Sequence, residues 1–339
     1  MLNIGIVGCG YWGPNIIRNF NSLNECAVKT ICDLSEERLT HMSRLYPSVT
    51  TTSDYDQLVN DPELDAIAIA TPVYTHFDLA KKSLEAGKHT LIEKPMASSV
   101  AECKKLTEMA KKQKLTLMVG HTFLYSQHVR RIKEIINDGD LGKILYISAR
   151  RLNLGLFQPD INVAWDLAPH DISIILFVME SLPRSVNCQG KANVNQGIED
   201  ITTMTIDFEN SGFATINSSW LDPNKIREIT FVGSKRMLVY NDIEPNEKIK
   251  IYDKRVEKPP HYDTFSEFHH SYHYGDMYSP YVKQDEPLKV ECQHFLDCIR
   301  NDTAPMTGAV QGIRVVQILE AATESLKNGG CRVELERRM

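Results

Sequence analysis

The 339-residue sequence contains no uninterrupted apolar run of the length needed to cross a bilayer. It has no Cys-x-x-Cys pair: the eight cysteines are scattered, and pairs such as Cys292 and Cys298 lack metal-finger spacing. Free thiols are expected, with neither a disulfide framework nor a metal centre. No long basic run appears, and the formal net charge is −6. This balance argues against nucleic acid or an anionic membrane as the main partner. The opening Met1-Leu2-Asn3-Ile4-Gly5-Ile6-Val7 runs into a strand pattern without the charged and apolar regions of a signal peptide, so the cytosol is the expected compartment. The remainder is ordinary for a globular chain, 42% apolar and 24% charged, at a length that suits two domains.

Strand and helix signals alternate through the first third. Strands are expected at Ile4–Val7, Ala27–Cys32, Asp65–Ala70, His89–Ile92 and Leu115–Val119. Helices are expected at Gly13–Phe20, Glu36–Leu45, Tyr74–Ala86 and Val100–Gln113. Such alternation implies a doubly wound parallel sheet with strands buried on both faces. Beyond Gly120 the pattern changes. Helices at Gln127–Asn137 and Leu167–Met179 flank a strand at Ile144–Leu152, and five strands follow between Thr203 and Tyr252 without intervening helices. Turn signals such as Asn210-Ser211-Gly212 suggest an open, mostly antiparallel sheet. Pro259–Pro280 reads as a long loop, and two helices close the chain at Val290–Arg300 and Val310–Asn328. The expected division is an α/β domain over 1–120 and an α+β domain over 121–339. An open sheet exposing residues such as Ile216 and Ile229 would favour self-association.

Gly8-Cys9-Gly10-Tyr11-Trp12-Gly13 follows a strand and opens a helix. Glycines there permit a tight turn and close approach of a pyrophosphate to the helix N-terminus. Asp33 ends the second strand about 20 residues on, where an acid accepts from ribose hydroxyls and repels a 2′-phosphate. NAD(H) is thus favoured over NADP(H). Arg38 is either a solvated helix residue or a cation for that phosphate. At the end of the fourth strand stands Glu93-Lys94-Pro95, which delivers Lys94 to the crevice beyond the strand ends, with Pro95 stiffening the turn. Further on, Trp165-Asp166-Leu167-Ala168-Pro169-His170 opens a helix. Asp166 and His170, four apart, share a face, although Asp166 also suits a helix cap and His170 a core position.

These motifs, with Ala70-Thr71-Pro72 and His76, resemble the Gfo/Idh/MocA family over essentially the full length. The resemblance implies a site in which Lys94, Asp166 and His170 surround a reacting carbinol. Thr71, Pro72, His76, Glu93 and His121 would line the nicotinamide side, with Tyr11, Trp12 and Trp165 completing the cofactor set. Many relatives carry Asn where this chain has His121. An imidazole titrates near neutrality, whereas an unperturbed lysine, with a pKa of about 10.4, is a poor base there. His170 is therefore assigned the acid/base role, Lys94 polarises the oxygen and Asp166 orients the group, with the reverse assignment of Lys94 and His170 open.

Gly120-His121-Thr122-Phe123-Leu124-Tyr125, Arg151-Leu152-Asn153-Leu154-Gly155, and Ser219-Trp220-Leu221-Asp222-Pro223 with Arg227 resemble the family's nucleotide-sugar 3-dehydrogenase branch. Arg150, Arg151, Lys225 and Arg227 are candidate cations for a diphosphate. Tyr125, Asn153, Trp220 and the tyrosines from Tyr262 to Tyr278 are candidates for sugar or base contacts. The resemblance implies a UDP-N-acetylglucosamine-type substrate oxidised at C3 and a homodimer or homotetramer. A cyclitol dehydrogenase and a non-catalytic NAD sensor are the rival readings.

Overall fold

The computed structural model describes residues 1–210, 212–257 and 271–336. The chain divides into two compact units, Met1–Ser126 with Asp285–Glu320, and Gln127–Gln284 with Ala321–Met339. Among the described residues, no helix is long and apolar enough to cross a membrane. All eight cysteines are free, and all but Cys331 are buried.

The first unit opens as β1 (Leu2–Val7), α1 (Gly13–Asn21), β2 (Cys26–Cys32), α2 (Glu36–Leu45) and β3 (Thr50–Thr52). It continues through α3 (Tyr55–Val59), β4 (Ala66–Ile69), α4 (Val73–Glu85), β5 (His89–Glu93), α5 (Val100–Gln113) and β6 (Leu117–Gly120), then a 3-10 turn at Thr122–Tyr125. The sheet is parallel, in the order β3-β2-β1-β4-β5-β6. This is the doubly wound Rossmann order, which reverses direction between β1 and β4 and opens a crevice at the carboxyl ends there. All four residues of β4 are buried, so its sequence shows no polar alternation. Helix starts are chemically marked. Ser35 accepts from the Arg38 N–H at α2, and Ser99 from the Glu102 N–H at α5. The sequence reading misses β3 and α3, which are too short to imprint a period.

The second unit contains α6 (Gln127–Asn137), β7 (Ile144–Leu154), α7 (Val163–Met179), β8 (Pro183–Lys191), β9 (Ile201–Phe208) and β10 (Phe213–Ser219). It goes on through β11 (Leu221–Gly233), β12 (Met237–Asn241), β13 (Ile249–Glu257) and β14 (Ser271–Tyr278). After α8 (Pro287–Asn301) and α9 (Ala309–Lys327), the short β15 (Val333–Glu334) completes a sheet ordered β14-β13-β12-β11-β7-β10-β9-β8-β15. The pairing is mostly antiparallel, but β7 runs parallel to β10 and separates it from β11. Three strands correct the sequence reading, the two-residue β15 among them. The polar, Pro-led β8 was not expected, and β14 replaces part of the expected Pro259–Pro280 loop. Nearly every β14 side chain is exposed, so no burial alternation marks it. Residues 259–270 of that loop, with Tyr262, and Ser211 of the expected turn lie outside the described residues.

One row of side chains crosses the sheet in register: Cys188, Met204, Ile216, Ala149, Ile229, Tyr240 and Ile249. All are buried, and α7 packs on the strands at the centre of this row. Ile216 and Ile229 therefore belong to the covered face. This corrects the expectation that they form an exposed apolar patch. The opposite face carries Thr203, Thr215, Asn217, Ser148, Arg150 and Glu228, none fully buried.

A second correction concerns the domain division, which does not fall at a single point near residue 120. Residues Asp285–Glu320 return to the first unit, where Leu288, Cys292, Phe295 and Leu296 of α8 join the core with Ile16, Ile17 and Phe20 of α1. The rings of Phe20 and Phe295 meet edge-on at 6.3 Å.

Within the second unit, Arg151 and Asp171 form a buried fork, Nε to Oδ2 at 2.9 Å and Nη2 to Oδ1 at 2.8 Å. Removing one partner strands a buried charge, at a cost of about 3–5 kcal/mol. Arg151→Met is expected to lose that much in urea denaturation, and the double variant Arg151→Met/Asp171→Leu to recover most of it.

Candidate active site

The β1–α1 turn is dictated by its own backbone. Gly8 has φ +95°, and a Cβ there would lie 2.5 Å from the Ala70 carbonyl oxygen. A Cβ on Gly13 would lie 1.9 Å from the Gly8 carbonyl oxygen. Both positions must be glycine for the turn to close. Gly10 differs: its nearest neighbour would be Arg38 Nη1 at 3.9 Å, so the space in front of its Cα is open. Helix α1 begins there with no side-chain cap and no acid in its first turn, which leaves N–H donors for an anion. An open Gly10 facing an uncapped helix start fits a dinucleotide pyrophosphate.

Asp33 is nearly buried and accepts from the Cys9 N–H at 2.5 Å and the Ser35 N–H at 2.8 Å. It thereby ties the glycine turn to the end of β2. Arg38 Nη1 stands 3.7 Å from Asp33 Oδ2. Tyr11 is exposed, while Trp12 reaches across to β5 and donates from Nε1 to Glu93 Oε1 at 2.7 Å.

The ends of β4, β5 and β6 hold the remaining candidates of this unit. Thr71 and Pro72 lead into α4. His76 is buried with Nδ1 2.8 Å from the Pro95 carbonyl and Nε2 2.8 Å from the Thr71 carbonyl, joining the two strand-end loops. Burial pushes its pKa down, against the pull of both carbonyls. The Glu93 carboxyl lies where a side chain at position 120 would be, 2.9 Å from a Cβ built on Gly120. Burial raises Glu93 to about 7, opposed by the Lys94 charge and the Trp12 hydrogen bond. His121 is buried with neither ring nitrogen hydrogen-bonded among the described residues; burial and the Lys94 charge push it down to about 3, so it is neutral at neutral pH. Tyr125, expected at the substrate, is instead a core residue whose hydroxyl bonds Thr307 Oγ1 at 2.9 Å.

The second unit supplies the other constellation. Helix α7 starts four residues before the sequence reading. Asn162 is its cap, accepting from the Trp165 N–H, so Asp166 sits in the first turn and is not the cap. Asp166 Oδ2 accepts from Trp220 Nε1 at 3.1 Å. Trp220 is buried against Phe157, ring centroids 5.5 Å apart, and holds Asp166 through its indole N–H. Trp165 Nε1 donates to Thr323 Oγ1 at 2.8 Å. Four residues after Asp166, His170 follows Pro169 on the same helix. Asn153 is half-buried on β7. Of the candidate cations, Arg151 is committed to Asp171, Arg150 bonds Glu228 at 2.6 Å, and Arg227 pairs with Asp242 at 3.5 Å while remaining partly exposed.

Sequence reasoning missed Glu291, whose Oε2 accepts from Thr122 Oγ1 at 2.7 Å. The available signal was a carboxylate inside the apolar stripe Leu288, Cys292, Phe295 of α8, where solvated charge does not belong.

A Rossmann sheet, a glycine cradle with an uncapped helix, and a strand-end lysine define a dinucleotide-binding oxidoreductase unit. Residues 2–121 match the model of the oxidoreductase family with an NAD-binding Rossmann fold, and residues 129–239 match the Gfo/Idh/MocA C-terminal domain. The chain belongs to the Gfo/Idh/MocA oxidoreductase family, and its cofactor is NAD. It is 27% identical over 338 residues to the uncharacterized oxidoreductase YrbE of Bacillus subtilis, covering 96% of this chain and 94% of that one. It is 29% identical over 226 residues to UDP-N-acetylglucosamine 3-dehydrogenase of Acidithiobacillus ferrooxidans, covering 64% and 67%. A solved structure of UDP-N-acetylglucosamine 3-dehydrogenase GnnA from that organism shares the fold, with a TM-score of 0.77 at 24% identity over 96% of this chain and 98% of that one.

Two outcomes follow. Gly13→Ala is expected to cost at least about 1–3 kcal/mol and to abolish NAD binding. Gly10→Ala should leave the thermal midpoint unchanged while weakening NAD roughly tenfold or more, as read by calorimetry. The second concerns pH. The Glu93 carboxylate forms as pH rises through about 7, and an anion favours the cationic NAD+ over neutral-ring NADH. The affinity ratio of NAD+ to NADH should therefore rise across that range, and Glu93→Gln should flatten it.

Proposed function

We propose that this protein is an NAD-dependent dehydrogenase of a sugar secondary alcohol, acting on C3 of a UDP-linked N-acetylhexosamine to give a 3-keto sugar. The observation that carries the chemical part is Asp166 held by Trp220 on the helix that bears His170, in a chain whose cofactor unit presents Lys94 beside Glu93. The sugar-nucleotide part is supported by likeness to the Acidithiobacillus enzyme. The diphosphate clamp gives it little support, since Arg150 and Arg151 are engaged with Glu228 and Asp171.

Oxidising a carbinol removes a hydride from carbon and a proton from oxygen. When bound, the nicotinamide supplies the hydride acceptor. In this reading the imidazole of His170 takes the hydroxyl proton. Asp166, oriented through Trp220 Nε1, steers that imidazole and the substrate hydroxyl. The ammonium of Lys94 donates a hydrogen bond to the substrate oxygen as negative charge grows there. Because His121 is neutral, it does not add a competing positive charge beside Lys94.

The test is NADH formation from a panel of UDP-sugars, with cyclitols alongside and a trap for the keto product. UDP-N-acetylglucosamine-type sugars should turn over, and Lys94→Ala or His170→Ala should lower kcat by roughly 100- to 10,000-fold with NAD affinity retained. Turnover of cyclitols alone would replace the substrate assignment; NAD binding with no turnover of any alcohol would favour the sensor. Trp220→Phe should lower kcat roughly tenfold and leave the NAD dissociation constant unchanged, as measured by stopped-flow turnover and calorimetry.

A further inference from the structure

Glu291 is fully buried in the stripe of α8 that otherwise carries Leu288, Cys292 and Phe295. No basic side chain forms an ion pair with it among the described residues. Its Oε2 accepts from Thr122 Oγ1, and its Oε1 has no hydrogen-bond partner among the described residues. A carboxylate left this way pays a large desolvation cost, which a neutral acid largely avoids. In the same short segment, the Glu93 carboxyl packs against Gly120 and is bonded by Trp12. Residues 120–122 thus meet two carboxyls, Glu93 of β5 at Gly120 and Glu291 of α8 at Thr122, and both ring nitrogens of His121 are buried and unbonded among the described residues.

We propose that Glu291 is a positioning residue for the NAD site: an uncharged carboxylic acid that fixes the Gly120–Thr122 segment, and through it the placement of Glu93 and His121. This rests on the dinucleotide reading of the cleft but not on the identity of the sugar. Two neighbouring buried carboxyls do not both ionise. Burial and the Glu93 charge push Glu291 well above the carboxylate range, while burial raises Glu93 only to about 7 against the opposing Lys94 charge and Trp12 hydrogen bond. Of the other titratable groups that interact with Glu291, Tyr125 and Cys292 are pushed up by burial, so both are neutral. Glu93 is therefore the member of the pair that ionises, opposite Lys94. A hydroxyl donating to a carboxylic acid oxygen, as Thr122 does here, keeps its geometry in an amide of the same shape. Gln should accordingly replace Glu291 without loss, whereas an apolar residue should not.

The experiment uses the full chain with NAD+ as the probe. Glu291→Gln is expected to keep NAD+ affinity within about twofold and to leave the pH midpoint of NAD+ binding near that of the wild type. Glu291→Leu and Thr122→Val should each weaken NAD+ roughly tenfold, and the double variant should be no worse than either alone. Circular dichroism and thermal melting confirm that each variant is folded. Infrared difference spectra of the protein without cofactor should show a protonated-acid carbonyl band above pH 8 that Glu291→Gln removes and Glu93→Gln leaves in place. A fall of a unit or more in the midpoint for Glu291→Gln, or the absence of that band, would show Glu291 to be an anion and overturn the proposal. The infrared result is independent of turnover, so failure of the dehydrogenase reading would be seen separately, in the substrate panel.

Discussion

The close approach of the Gly13 Cα to the Gly8 carbonyl oxygen is the constraint on which the cofactor unit depends. A methyl group at either glycine would run into backbone, so the chain passes from β1 to α1 through one tight turn over residues 8–12. That turn brings the uncapped start of α1 to the carboxyl ends of the strands and lets Asp33 close on the Cys9 N–H. It also sets the path of Trp12, whose indole crosses to β5 and fixes the Glu93 carboxyl. Backbone proximity in one six-residue segment thereby orders residues from three strands.

At those strand ends, burial governs charge more than pairing does. Desolvation lowers the pKa of His76 against two carbonyl partners and holds His121 neutral. Glu93 is raised to the edge of neutrality because Lys94 only partly offsets its burial. The result is a cleft wall with little fixed charge, in which Lys94 is a localised positive centre. A low-dielectric surround increases the effect of such a charge on a developing oxyanion.

The second unit reaches a similar end by different means. Its sheet has one face covered by α7 along a row of buried side chains. The helix is anchored at Asn162 and pinned below by the Arg151–Asp171 fork. With the helix fixed, Trp220 can hold Asp166 from the neighbouring strand end, so the orientation of the acid comes from the sheet beneath it.

Much of the first unit was legible because its signals are local. Helices α2 and α5 begin and end where their serine caps and apolar periods place them, and glycine spacing with Asp33 marked the cradle without any knowledge of packing. The sequence alone therefore determined the Rossmann half, its cofactor and the candidates Lys94, Asp166 and His170. Tertiary structure decided the rest. It turned Arg151 from a candidate clamp into half of a buried pair, put Tyr125 in the core, gave Trp220 to Asp166, and carried α8 back to place Glu291 beside Thr122. The physical reason is that periodicity and turn chemistry act between residues a few positions apart. Burial, and the ionisation it controls, depends on which distant surface closes over a side chain.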